Sequence, residues 1–233
     1  MKLDIGSNEI GSLSAFVEYC ETIGLVSHTV LFRGQDLQGR LLPGIARANP
    51  RRDTVEVERS MLRQFRSQGA SLLNGGYLLE LELLVLAQHH GLKTRLLDWT
   101  TNPLTALWFA CSSVSEGDVY VYVLDSDASQ TDDIYRQDPF THESTCVFQP
   151  RFDNPRVLAQ NGWFTLHRYS QKSKCFIPLE KQKELGGHLH ELVIPKNARS
   201  SIVYGLSRMG VHPRSLFPDL NGLAQHLNLS HRV

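Results

Sequence analysis

The sequence lacks an excess of charge of either sign. Its 24 Lys and Arg residues are matched by 24 Asp and Glu residues, so the formal net charge is zero. A chain without a global positive field does not hold nucleic acid through bulk charge. Binding to nucleic acid would therefore depend on a local basic patch.

Paired cysteines and long apolar runs are also missing. The four cysteines, Cys20, Cys111, Cys146 and Cys175, form no Cys-x-x-Cys pair, which argues against a structural zinc site and a disulfide framework. No apolar run reaches the ~20 residues that a membrane-spanning helix needs, and Met1–Gly11 has no apolar signal core. We expect a reduced cytoplasmic protein with no bound metal and no membrane contact.

The hydrophobic pattern predicts one α+β domain over residues 1–233. Helices are expected over residues 12–23, 53–68 and 77–90, from Asn102, and in the tail after Ser215. Strands are expected over residues 29–32, 118–124, 164–167, 189–195 and 201–206, with a long excursion over 125–155. Because helices concentrate early and strands late, we expect a helical N-terminal half packed on a mostly antiparallel or mixed, split β-sheet.

The most informative stretch is residues 87–110, a polar and aromatic connector between two apolar helical patterns. Connectors of this kind commonly carry function. The candidate ligand-binding residues in it are Gln88, His89, His90, Arg95, Asp98, Trp99, Thr100, Thr101 and Asn102.

Each of these residues also has a structural interpretation. Arg95 and Asp98 are three residues apart, and a pair between them is the favoured explanation of Asp98. Trp99 either stacks on a planar ligand or fills the core, and the core is favoured. His89 and His90 end a helix, where one would bond terminal carbonyls and the other would face the site.

Thr100 and Thr101 precede a helix that is predicted to begin with Asn102 as the N-cap residue and proline next. The free N–H groups and the positive dipole end of a helix start favour an anion or orient a hydroxyl toward a ligand. Simple capping explains the same residues, and the two roles are compatible.

Arg33 ends a strand and is followed by Gly34 and Gln35. A guanidinium there can hold phosphate or carboxylate in a bidentate manner, while the glycine lets a ligand or backbone approach closely. The alternative is an ion pair at the edge of the core.

Two further groups come from the second half of the chain. Glu191 shares a strand face with two apolar residues, which suggests either a held catalytic carboxylate or an edge charge facing water. Gln160 and Phe164 flank a glycine in Gln-Asn-Gly-Trp-Phe. They either line a site for a planar ligand or form a turn and fill the core.

Several of these motifs resemble the FRG domain family, named for its Phe-Arg-Gly motif. The resemblance rests on Phe32-Arg-Gly-Gln35, on Ala87–Ala110, and on the later motifs Ala159–Phe164 and Leu216–Leu223. It covers roughly residues 25–228, and Lys93 departs from the proline usual there. The resemblance names a domain and implies no particular reaction.

The order of an Arg-Gly strand end, a Thr-Thr segment and a late strand glutamate is also similar to the Arg–Ser/Thr–Glu pattern of ADP-ribosyltransferases. This similarity implies an ADP-ribosyltransferase-like fold with NAD as the candidate substrate. Arg33 would hold the phosphate or ribose, Thr100 and Thr101 would shape the nicotinamide site, and Glu191 would stabilise the oxocarbenium charge. Trp-Thr-Thr replaces the usual Ser-Thr-Ser.

The leading hypothesis is thus an enzyme that transfers ADP-ribose to a protein or nucleic-acid acceptor, or that hydrolyses NAD. The alternative is a non-catalytic module that senses a nucleotide or nucleic acid, for example in phage defence or a toxin system. A third hypothesis is a hydrolase with His89 or His90 as general base.

Overall fold

The computed structural model describes residues 8–24, 29–73, 78–126, 134–151, 154–183 and 185–231. The helices in these residues are α1 (Leu13–Gly24), α2 (Val55–Gln68), α3 (Glu80–His89), α4 (Pro103–Cys111), α5 (Pro155–Ala159), α6 (Lys196–Arg208), α7 (Pro213–Leu216) and α8 (Leu220–His231). The strands are β1 (Val30–Gln35), β2 (Leu96–Thr100), β3 (Val119–Asp125), β4 (Cys146–Phe148), β5 (Gly162–Leu166), β6 (Tyr169–Ser170), β7 (Cys175–Phe176) and β8 (Leu189–Ile194).

Six of the strands form one sheet in the order β4-β5-β2-β1-β3-β8, and β6 pairs separately with β7. Every neighbouring pair of named strands is antiparallel. Residues 8–10 add an isolated parallel bridge between Glu9 and Val193 on the outer side of β8. The expected α+β class and antiparallel sheet are therefore confirmed.

Alternate side chains of β3 point to opposite faces of the sheet and belong to two different hydrophobic clusters. Val119, Val121 and Val123 pack in a cluster with side chains of α1, α4 and α6. Tyr122 and Leu124 point to the opposite face, where residues 41, 179 and 185 cover the sheet. Because both faces of β3 are buried, the strand is apolar almost throughout.

The other half of the sheet is covered by α2 and α3. Leu62 of α2 and Leu84 of α3 pack in one cluster with Leu96, Phe164 and Leu166 of β2 and β5. Two helices from the first half of the chain thus cover a part of the sheet that includes β5, from the second half.

The sheet opens between β1 and β2. These strands share a single register pair, Phe32 with Thr100, whereas β1 and β3 share six. Strands that diverge in this way leave space between their backbones, and the candidate site lies next to this opening.

The expected strand over Ser201–Leu206 is wrong, because these residues belong to α6. Ala198, Ile202 and Leu206 are buried at intervals of four residues, which is the spacing of one helix face. The β-branched pair Ile202-Val203 suggested a strand locally, but the longer pattern is helical.

The connector over residues 87–110 is more ordered than a loop, because it contains β2. Helices are also not confined to the first half, since α6, α7 and α8 follow the last strand. Residue 77 and the parts 127–133 and 152–153 of the expected excursion lie outside the described residues. In the described part of the chain, no helix has both the length and the apolar character to cross a bilayer.

Candidate functional site

A cavity of about 370 Å³ lies where α3, α4 and α5 face the opening of the sheet. Its walls come from β1, β2 and β5 on one side and from the three helices and Phe217 on the other. The lining residues are Phe32, Arg33, Gly34, Val85, Gln88, His89, Asp98, Trp99, Thr100, Thr105, Ala106, Phe109, Arg156, Val157, Gln160, Gly162, Trp163, Phe164 and Phe217. The cavity is thus largely aromatic and apolar, with a few polar groups that include two arginines.

Arg33 reaches the opening between β1 and β2. Its Nη1 donates to the carbonyl oxygen of Asp98 at 2.8 Å and lies 3.8 Å from Asp98 Oδ2. Its Nε donates to Gln35 Oε1 at 3.3 Å. Only 13% of the side chain is exposed, and burial lowers the pKa of Arg33 to about 10, opposed by Asp98. Arg33 is therefore a cation at neutral pH, held at the cavity wall.

Gly34 is required by packing. A Cβ at this position would lie 1.9 Å from the carbonyl oxygen of Ala106 and 2.6 Å from the amide nitrogen of Ala110. The glycine therefore allows β1 to pack directly on the backbone of α4. The close approach expected at this glycine is thus made by protein backbone.

A chain of hydrogen bonds fixes the acidic group of the cavity. Thr94 Oγ1 donates to Gln88 Oε1, and Gln88 Nε2 donates to Asp98 Oδ1 at 2.6 Å. The Asp98 side chain is 61% exposed. Asp98 therefore presents a carboxylate that is oriented by Gln88 and accessible from solvent.

Two buried polar atoms of lining residues have no hydrogen-bond partner in the described part of the chain. They are Thr105 Oγ1 and Arg156 Nε. The guanidinium of Arg156 lies 4.6 Å from the ring centre of Phe217, and its Nη2 is 3.6 Å from Asp219 Oδ2. Buried polar groups are normally satisfied, so two such atoms at one cavity indicate a place for a polar ligand.

His89 brings an imidazole to the same cavity. Burial lowers the pKa of His89, and the charges of Arg156 and His90 lower it further while Asp219 opposes them. A neutral imidazole beside a cavity is able to accept a proton, which is the property a general base requires.

The structure brings nine of the expected site residues to the cavity. They are Arg33, Gly34, Gln88, His89, Asp98, Trp99, Thr100, Gln160 and Phe164. Thr100 Oγ1 donates to the carbonyl oxygen of Gln160 at 2.6 Å and accepts from the N–H of Asn102 at 2.9 Å. The hydroxyl of Thr100 thus connects β2 to the turn before β5.

Four expected residues from the first half of the chain lie outside the cavity, in addition to Arg95. Gln35 holds Arg33, His90 is the C-cap residue of α3, and Thr101 is exposed. Asn102 caps α4, since its Oδ1 accepts from the N–H groups of Leu104 and Thr105. Proline follows it at the first helical position, so this expected helix start is confirmed.

The expected pair between Arg95 and Asp98 is wrong. Arg95 Nε donates to Glu58 Oε2 at 2.8 Å, and both side chains are almost fully buried. Asp98 points the other way, toward Gln88 and Arg33. Arg95 directly precedes β2 and Asp98 is its central residue, and side chains three apart along an extended chain point to opposite faces.

Glu191 does not line the cavity. Its Oε2 accepts from the hydroxyl of Tyr122 at 2.7 Å, and its Oε1 accepts from Gln38 Nε2 at 2.7 Å. The carboxylate is therefore paired rather than freely solvated, although β8 is the last strand of the sheet.

Sequence reasoning missed Thr105, Phe109, Arg156 and Phe217 as lining residues. A signal for Arg156 was present, because Asn154-Pro155 repeats the Asn-Pro pattern of Asn102-Pro103. Asn154 Oδ1 indeed caps α5 by accepting from the N–H of Arg156.

Comparison with known proteins finds one similarity, which covers part of the chain. No curated protein and no solved structure gives a significant match. The similarity to ADP-ribosyltransferases therefore stays a prediction. The model of the FRG domain matches residues 28–118, which include β1, α2, α3, β2 and α4, but not the later residues expected up to about 228. Over residues 28–118 the chain is thus similar to the FRG domain.

Proposed function

We propose that the cavity binds a nucleotide, with NAD as the leading candidate. One observation carries the proposal: the guanidinium groups of Arg33 and Arg156 and the unpartnered hydroxyl of Thr105 border one aromatic cavity. Guanidinium groups suit phosphate, aromatic rings suit a planar base, and a buried hydroxyl suits a ribose or amide group. The cavity also has the size and apolar character of small-molecule sites.

Cleavage of the bound nucleotide is a second candidate function, supported by the carboxylate of Asp98 at the cavity. In NAD hydrolysis the bond between ribose C1′ and the nicotinamide nitrogen breaks, and that electron pair leaves with nicotinamide. Water then adds its oxygen to C1′ and releases a proton. Transfer of ADP-ribose differs only in that a protein or nucleic-acid acceptor replaces the water.

A carboxylate beside C1′ would stabilise the positive charge that develops on the sugar. Asp98 is the carboxylate among the described lining residues, whereas Glu191 is the candidate from the sequence pattern. A sensing module would bind the same nucleotide and leave it intact. Binding and cleavage therefore need separate tests.

Binding is tested by calorimetric titration of NAD, ADP-ribose, AMP and nicotinamide into wild type, Arg156→Gln and Arg63→Gln. Arg63 is exposed on α2 and outside the cavity, so it is the matched control. Loss of a charged hydrogen bond should weaken ADP-ribose binding about 10- to 100-fold in Arg156→Gln only. Absence of binding by wild type would overturn the proposal.

Thr105→Val tests the unpartnered hydroxyl. Because a buried hydroxyl without a partner costs about 1–3 kcal/mol, we expect the valine to raise the free energy of unfolding by about 1 kcal/mol. The same change should weaken ligand binding. A variant that is less stable and binds normally would show that the hydroxyl has a structural role.

Cleavage is tested by following nicotinamide release from NAD in wild type, Asp98→Asn and Glu191→Gln. If Asp98→Asn still binds NAD but no longer releases nicotinamide, the result supports Asp98 as the carboxylate that acts in cleavage. Tight NAD binding without release in wild type supports the sensing module.

A further inference from the structure

The segment after β1, residues 36–41, is held in place by hydrogen bonds to side chains from the second half of the chain. The N–H of Gly39 donates to Tyr122 Oη at 2.5 Å, and the Tyr122 hydroxyl donates to Glu191 Oε2 at 2.7 Å. Gln38 Nε2 donates to the second oxygen, Glu191 Oε1, at 2.7 Å. Both oxygens of one carboxylate are thus used to hold this segment.

The same segment is connected to Arg33. Gln35 Nε2 donates to the carbonyl oxygens of Leu37 and Gly39, at 2.6 and 2.8 Å, and Gln35 Oε1 accepts from Arg33 Nε. A continuous path of hydrogen bonds therefore runs from Glu191 to the guanidinium of Arg33. The register agrees, since Arg33 pairs with Tyr122 and Tyr122 with Glu191 across three adjacent strands.

The backbone of the segment needs such support. Gly39 has φ of 64° and Arg40 has φ of 56°, in the left-handed region that non-glycine residues seldom occupy. Glu180 accepts from the N–H groups of Arg40 and Leu41, at 2.8 and 3.1 Å. A conformation of this kind persists only where the surroundings over-determine it.

The chemistry of the path is consistent along its length. Burial and the hydrogen bond to Glu191 raise the pKa of Tyr122, so its hydroxyl stays protonated and acts as a donor to the carboxylate. Tyr122 is buried and Glu191 is half-buried, so this bond is partly shielded from water. A charge-assisted hydrogen bond is among the stronger and more directional ones.

We propose that Glu191 is a positioning residue, which orients Arg33 toward the cavity through Tyr122 and the 36–41 segment. It does so without touching the ligand. The proposal rests on the proposed function only in its last step, the effect on binding. Glu191 thereby differs from Asp98, which lines the cavity itself.

The test compares Glu191→Ala, Glu191→Gln, Tyr122→Phe and the double variant Tyr122→Phe/Glu191→Ala with wild type. Glu143→Ala, an exposed glutamate away from the path, is the control. The first readout is the Arg33 Nε–Hε resonance in nitrogen–proton NMR spectra, which needs no ligand. The second is the dissociation constant for ADP-ribose.

We expect Glu191→Ala and Tyr122→Phe to move the Arg33 resonance in the same direction and to weaken ADP-ribose binding about 3- to 10-fold. The double variant should be no worse than either single variant, because residues on one path are not additive. Glu191→Gln, whose amide oxygen still accepts one hydrogen bond, should retain most of the binding. It also keeps the test open if Glu191→Ala does not fold.

An unmoved Arg33 resonance in both Glu191→Ala and Tyr122→Phe would overturn the proposal. So would loss of nicotinamide release in Glu191→Gln with unchanged ADP-ribose affinity, since that pattern belongs to a catalytic contact. If wild type binds no nucleotide, the proposed function fails, and the resonance alone still decides the positioning role.

Discussion

The stability of this protein should fall steeply between pH 7 and pH 5 because of His167, which directly follows β5. The residue is 1% exposed. Its Nε2 lies 2.9 Å from Thr165 Oγ1, which also accepts from Trp99 Nε1 at 3.1 Å. The Thr165 hydroxyl has a second lone pair and its own hydrogen, so it can pair with Nε2 in either neutral tautomer of the ring. The other ring nitrogen, Nδ1, has no partner in the described part of the chain.

Burial, together with the smaller effect of the charges of Arg33 and Arg95, lowers the pKa of His167 from 6.5 to about 3. The unfolded chain binds a proton below pH 6.5, whereas the folded chain does not until about pH 3. Stability is therefore lost as the pH falls through this window, at about 1.4 kcal/mol per unit. Integration from pH 7 to pH 5 gives a loss of about 2 kcal/mol, which hardly depends on the folded pKa because pH 5 lies well above it.

The assay is urea unfolding of wild type and His167→Gln at pH 7 and pH 5. The glutamine keeps an amide that can hydrogen-bond to the Thr165 hydroxyl, and it does not titrate. Wild type should lose about 2 kcal/mol more than His167→Gln between the two pH values, because other groups contribute equally to both proteins. His188→Gln, at an exposed histidine, should leave the pH dependence as it is in wild type. Equal losses in wild type and His167→Gln would refute the reasoning.

Three further changes test the packing that positions the site. Gly34→Ala places a Cβ against the Ala106 carbonyl and should cost about 3 kcal/mol or more in chemical unfolding; a stable variant would show that β1 and α4 can separate. Arg95→Met leaves the buried carboxylate of Glu58 unpaired and should cost about 3–5 kcal/mol, with much of it recovered in Arg95→Met/Glu58→Met by the same measurement. Arg199 donates to four carbonyl groups at and after the end of α4, so Arg199→Met should lower the free energy of unfolding by about 3 kcal/mol, and thermal melting without a shift would contradict this.

The elements that were predicted correctly carry strong local signals. Asn102 followed by proline specifies a helix start, because the amide caps the first turn and proline needs no N–H there. The alternation in β3 specifies a strand, because successive side chains meet opposite faces. In both cases the physical cause lies within a few residues, so the sequence shows it.

The elements that were missed depend on partners far along the chain. β2 is only five residues long, and its centre is Asp98. It forms a strand because it pairs with β5 over five positions, and β5 lies more than 60 residues later. Most of its strand pairing comes from β5, and its burial comes from helices and strands elsewhere in the chain, so its own residues resemble a loop.

The site, like the fold, could be predicted from the sequence only in part. The sequence pointed to Arg33 and to the polar stretch before α4, and the structure puts most of those residues at one cavity. It did not show Thr105 or Arg156, because a lining position depends on which helix face meets the opening. The pair of Arg95 with Glu58 was hidden for a similar reason, since α2 must first pack beside β2.

By itself, the sequence determined the FRG motifs, the helix caps, the strand alternation and the polar character of residues 87–110. These features follow from residue type and spacing over short distances. Only the tertiary structure decided that β1 and β2 diverge, that Arg33 and Arg156 share a cavity, and that Glu191 lies outside it. Those outcomes follow from the order of strands in the sheet and the packing of helices on it, which bring together residues such as Gln38 and Glu191, 153 positions apart.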